Sequence, residues 1–121
     1  GACLLVRRQL YLELGGLNEE ALAVAFNDVD FGLRISEHGL RNVWTPFARL
    51  YHHESKTRGY EDTPQKRERF ATEYTYMRSQ WGRRLRADRN HSPNITLATT
   101  NYGLAIPPRV PPLATLVDTK R

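Results

Sequence analysis

The stretch Phe26-Asn27-Asp28-Val29-Asp30-Phe31-Gly32-Leu33-Arg34 constrains the fold most, because it places two carboxylates where an apolar run turns into a helix. Asn27 or Asp28 can cap that helix, since either side-chain oxygen can accept an orphan N–H of the first turn. The helix dipole favours negative charge at this end. Asp30 and Arg34 stand four apart and can pair on one face. Asp28, at the very start, is expected to point out of the fold. A carboxylate held there can serve as a general base. An ordinary N-cap with an adjoining salt bridge accounts for the same residues.

The remaining elements follow from periodicity and from glycine and proline. Residues 2–6 form an apolar run and read as a buried strand. Arg7 to Leu14 reads as a short helix that Gly15-Gly16 stops. Residues 20–25 fit a helical turn or a strand equally well. The central helix is expected over Asp28 to His38 and ends at Gly39. Val29 with Leu33, and Phe31 with Ile35, pair on its apolar side; Asp30, Arg34, Glu37 and Arg41 trace the opposite polar stripe. Residues 42–45 read as a strand broken by Pro46, and residues 48–52 as another. Thr63-Pro64 opens a second long helix. Phe70, Tyr74, Met77 and Trp81 mark its apolar stripe, a spacing that suits a core or a partner surface before a ligand box, and Gly82 is expected to end it. From residue 93 the chain turns proline-rich and loop-like. The expected architecture is α/β, with short mixed strands and two main helices over residues 1–92 and a proline-rich extended tail over residues 93–121.

Composition narrows the function classes. The chain has 121 residues, 40% hydrophobic and 26% charged, which suits one small globular domain. No apolar run approaches the roughly 20 residues of a membrane helix, and no signal peptide is legible. The lone Cys3 sits in an apolar run and is expected to be a buried small residue in a reducing, cytoplasmic compartment. A net charge of +5 suits anionic partners such as nucleotide diphosphates or an anionic lipid surface. Nucleic acid fits poorly, because the aromatics interleaved with arginine lie at core spacing rather than on an exposed stacking platform.

Gly1-Ala2-Cys3-Leu4-Leu5-Val6-Arg7-Arg8, Leu14-Gly15-Gly16-Leu17-Asn18-Glu19, Asn27-Asp28-Val29-Asp30, Leu33-Arg34, Gly39 and Tyr51-His52-His53-Glu54-Ser55 occur in that order. This ordered set resembles the C-terminal half of the family 2 inverting glycosyltransferases of GT-A fold. The likeness is greatest to bacterial members that build polysaccharides such as O-antigens. It covers roughly residues 1 to 110 and implies a partial GT-A fold.

The resemblance implies roles residue by residue. Asp28 would be the general base that deprotonates the saccharide acceptor. Asp30, Arg34 and Asn27 would support the helix start. His52 would be a ligand of a catalytic divalent metal, Mg²⁺ or Mn²⁺, in the complete enzyme; no metal is expected in this chain alone. Lys56 and Arg58 would meet the diphosphate of the nucleotide-diphospho-sugar donor. Gln80-Trp81 would lie toward the acceptor. Many relatives carry Glu-Asp or Asp-Asp where this chain has Asn27-Asp28, so Asp28 carries the base role without an acidic neighbour on its N-terminal side. The nucleotide-binding half would precede Gly1, so the isolated chain is expected to be inactive. An exposed sheet edge left by that half invites pairing as a homodimer. The basic cluster around Arg83 to Arg89 suits peripheral contact with the inner face of the cytoplasmic membrane. The competing reading is a non-catalytic binding or assembly module of GT-A-derived fold.

Overall fold

The structure, a computed structural model, describes residues 3–53, 63–86 and 91–109. Its helices are α1 (Arg8–Glu13), α2 (Asn27–Glu37) and α3 (Pro64–Arg86). The chain divides into two compact units, Gly1–Gln80 and Trp81–Arg121. The boundary expected at residues 92 and 93 therefore falls inside the second unit.

In the first unit, α1 is a turn and a half that ends on two left-handed glycines, Gly15 (φ 76°) and Gly16 (φ 69°). The Gly16 N–H donates to the Tyr11 carbonyl at 2.8 Å, which closes the helix end as its glycine pair predicts. The chain then turns through residues 17–26, which resolves the undecided piece 20–25 as turn and bend. The Asn18 side chain organises this loop. Its Oδ1 accepts the Ala21 N–H at 3.1 Å and its Nδ2 donates to the Tyr76 hydroxyl of α3 at 2.9 Å.

The buried face of α2 carries the expected pair Phe31 and Ile35 together with Asp30, while Val29 is exposed and Leu33 half-buried. Asp30, placed on the polar stripe by periodicity, is only 2% exposed. Asp30 joins this face because Arg34 pulls it inward, as described below. The Phe31 ring lies 5.3 Å from the Tyr11 ring, joining α1 to α2, and the apolar centre is completed by Leu22, Ile35 and Met77. Gly39 (φ 73°) ends α2 as expected.

Among the described residues no strand forms; the single antiparallel bridge is Ile95 with Leu104. Residues 4–7, 40–45 and 48–53 carry no ladder, although residues 2–6, 42–45 and 48–52 read as strands. A strand requires a partner for its N–H and C=O groups, and none of the described residues lines up beside these segments. Asn42 instead turns its side chain onto α2, donating to the Gly32 carbonyl at 2.8 Å and to Ser36 Oγ at 3.0 Å. Cys3, expected in a core, is exposed for the same reason.

Helix α3 runs on through Gly82 to Arg86 rather than stopping at the glycine. A helical interior tolerates glycine at a cost of about 1 kcal/mol, and Arg83, Arg84 and Arg86 favour the negative end of the dipole.

In the second unit, Trp81 and Ala105 are buried. Residues 91–109 close on themselves. The Thr96 N–H donates to the Gly103 carbonyl and the Ala105 N–H to the Asn94 carbonyl, both at 2.8 Å. Arg109 fastens this loop by donating to the carbonyls of Arg86 (2.7 Å), Ser92 (3.1 Å) and Ile95 (3.2 Å). The segment expected to be an extended tail is thus a tied loop as far as Arg109; residues 110–121 lie outside the described residues.

Candidate functional site

Asp28 sits in the first turn of α2, and the site is best built outward from the residue that starts that turn. Phe26, not Asn27 or Asp28, occupies the cap position, and it does so in a left-handed conformation (φ 65°, ψ 0°) with no side-chain cap. A bulky residue with φ in this region is a genuine outlier, at a cost of about 1–3 kcal/mol. Its surroundings over-determine it. The Phe26 carbonyl accepts the Asp30 N–H at 2.8 Å. Its ring packs 5.3 Å from Phe70 and 6.4 Å from Tyr74, both on α3.

The two residues before Phe26 are held just as firmly. The buried carboxylate of Glu73, 2% exposed, accepts the Val24 N–H at 3.0 Å on Oε1 and the Ala25 N–H at 2.8 Å on Oε2. Arg69 stands 3.7 Å from the same carboxylate, one helical turn away. A buried carboxylate that receives two N–H groups and a cation is a satisfied one. Glu73 therefore fixes the loop that delivers the chain to Phe26.

Asp28 is half-buried rather than fully exposed, and its Oδ1 accepts the Val29 N–H at 2.9 Å. Asn27 is half-buried beside it. Asp30 and Arg34 pair as the spacing predicts, Nε to Oδ2 at 2.9 Å. The same guanidinium donates from Nη1 to the Leu14 carbonyl and from Nη2 to the Gly16 carbonyl, the latter at 2.6 Å, and lies 5.2 Å from the Phe31 ring centre. Arg34 thus caps the carbonyl end of α1 from α2. The guanidinium makes these contacts from three separate nitrogens, which a single ammonium does not offer.

His52 and His53 are exposed on the segment without a ladder. Among the described residues no three metal-ligating side chains converge. One imidazole does not make a site for a hard cation that takes oxygen ligands, so the described residues do not fit a complete divalent centre. Lys56 and Arg58 lie outside the described residues. Trp81 is 4% exposed and buried in its unit, not presented as an acceptor contact. The rest of its stripe divides: Met77 is buried, whereas Phe70 and Tyr74 are 39% and 47% exposed. Met77 and Trp81 thus take the core positions expected of the stripe, and Phe70 and Tyr74 lie toward the surface.

Sequence reasoning missed Glu73 and Phe26. Glu73 carried a signal, because it lies three residues after Phe70 and four before Met77, a charge on an otherwise apolar stripe. Such a placement points to a buried hydrogen-bonding partner. The backbone of Phe26 carried none.

No helix among the described residues is long and apolar enough to cross a membrane. No family model matches the chain, and no solved structure matches it. The chain is 47% identical over 106 residues to the uncharacterized protein y4gI of Sinorhizobium fredii, covering 88% of this chain and 12% of that protein. It is 36% identical over 103 residues to the O-antigen biosynthesis protein RfbC of Myxococcus xanthus, covering 85% of this chain and 8% of that protein. Over 59 residues it is 37% identical to the N-acetylglucosaminyl-diphospho-decaprenol L-rhamnosyltransferase of Mycobacterium tuberculosis, covering 49% of this chain and 19% of that protein. The chain therefore spans less than a fifth of each of these relatives and is similar to a segment of proteins named for O-antigen biosynthesis and for rhamnosyl transfer.

Proposed function

We propose that this chain is the acceptor-side part of a glycosyltransferase of GT-A type, which moves a sugar from a nucleotide-diphospho-sugar to a saccharide acceptor with inversion. The similarity to the rhamnosyltransferase and to the O-antigen biosynthesis protein carries the reaction class. The braced, strained start of α2 supports Asp28 as the base. In the transfer, the acceptor hydroxyl oxygen attacks the anomeric carbon and loses its proton to the Asp28 carboxylate. The bond from that carbon to the diphosphate breaks, and its electron pair leaves with the nucleotide. A base must hold its position to within a fraction of an ångström for such a step. Glu73, Phe26 and the Asp30–Arg34 pair supply that rigidity. His52 would offer one imidazole to a divalent ion in the protein that carries this segment.

Asp28→Asn in the protein that carries this segment tests the reading. The expected result is loss of turnover by about 10²–10⁴-fold with donor and acceptor binding retained. Undiminished turnover would overturn it.

One observation favours a second reading, a non-catalytic binding or assembly module. Val43, Trp44, Phe47, Leu50 and Tyr51 are all exposed on a segment without a ladder. Five exposed apolar side chains within nine residues suit an interaction surface. An Asp28→Asn variant that keeps every function of the parent while replacement of these five side chains does not would select that reading.

A further inference from the structure

Phe26, Phe70 and Tyr74 form an aromatic patch that the catalytic reading does not use. All lie in the first unit. The Phe26 ring meets Phe70 and Tyr74 at tilts of 45° and 51°. Phe70 keeps 39% and Tyr74 47% of its surface in contact with solvent, although both lie on a helix with a buried stripe. Arg78 lies over the Tyr74 ring, 5.8 Å from its centre, with Nη1 3.5 Å from the Tyr74 hydroxyl. The rim of the patch therefore carries a hydroxyl and guanidinium donors.

The patch is anchored to Asp28 by covalent geometry. Phe26 precedes Asp28 by two residues, so their Cα atoms stand within about 7 Å. Resting on the proposed function, we infer that Tyr74 and Phe70 are the stacking platform for the acceptor saccharide, with Arg78 donating to its hydroxyls. A pyranose has an apolar C–H face and a polar rim. The patch matches it with two half-exposed aromatic side chains, which combine an apolar body and a wet edge, and with the Arg78 donors beside them.

Saturation-transfer NMR on the full chain, with methyl glucoside, methyl N-acetylglucosaminide and methyl rhamnoside as probes, tests this. Transfer is expected on the ring C–H protons of at least one pyranoside. Tyr74→Leu, which keeps bulk without the aromatic face, should weaken binding about fivefold or more, and Tyr74→Phe should stay within about twofold. No transfer to any probe, equal binding by Tyr74→Leu, or displacement of the sugar by a single-stranded oligothymidylate would overturn the platform. The parent reading fails separately. If the pyranosides bind through Tyr74 while Asp28→Asn leaves turnover intact, catalysis at Asp28 is wrong and the platform stands. If Asp28→Asn abolishes turnover while Tyr74→Leu leaves the acceptor KM unchanged, the platform is wrong and the base stands.

Discussion

The Glu73 carboxylate and the Ala25 N–H meet at 2.8 Å across 48 residues of sequence. With the Val24 N–H on its other oxygen, Glu73 joins α3 to the loop that leads into α2. Removing the acceptor strands two donors in a partly buried place. Glu73→Ala is expected to destabilise the chain by about 2–4 kcal/mol, and Glu73→Gln, which keeps one acceptor oxygen, by about 1–2 kcal/mol. Urea unfolding gives the values, and hydrogen exchange at Val24 and Ala25 should accelerate in both variants. Unchanged exchange at these amides would show that the contact does not hold the loop.

Arg34 makes a comparable junction between α1 and α2. Lysine can keep the ion pair with Asp30, but a single ammonium cannot also reach the Leu14 and Gly16 carbonyls in the guanidinium's directions. Arg34→Lys is expected to cost about 2–3 kcal/mol. In a double-mutant cycle with Asp30→Asn, coupling of about 1–3 kcal/mol is expected. A coupling near zero would mean that Arg34 acts through the carbonyls alone.

Two left-handed glycines separate strain from crowding. At Gly39 a Cβ would meet nothing within 4 Å, so Gly39→Ala should cost only the backbone term, about 1–2 kcal/mol. At Gly16 a Cβ would lie 3.0 Å from the Tyr11 ring and hydroxyl, and Tyr11 is held because its hydroxyl accepts the Leu17 N–H at 3.2 Å. Gly16→Ala should therefore cost more, about 2–4 kcal/mol. Equal midpoints for the two variants in thermal melting would contradict this account.

The stripe on α3 divides by exposure. Met77, 3% exposed, is expected to cost about 2–4 kcal/mol on truncation to alanine. Tyr74→Ala, at a half-exposed position, should stay below about 1 kcal/mol. Circular-dichroism melts of the two variants make the comparison. A Tyr74 loss as large as that of Met77 would mark it as a core residue rather than a binding face.

The sequence determined what is local. Glycines at 15, 16 and 39 ended two helices where the left-handed conformation is cheapest, and the four-residue spacing of Asp30 and Arg34 formed the pair it promised. These outcomes depend on neighbours within a turn or two, so no distant partner can reverse them. Only the tertiary structure decided the rest. The apolar runs near Leu4, Val43 and Leu50 have strand-like composition, yet a strand exists only with a partner, and the described residues supply none. Asp30 moved to the buried face because Arg34 reaches back to α1. Phe26 took a conformation that its own chemistry disfavours, because Glu73, Phe70 and Tyr74, more than 40 residues later, hold it there. The placement of the chain that leads into Asp28 thus depends on long-range contacts, which a local pattern of residues does not encode.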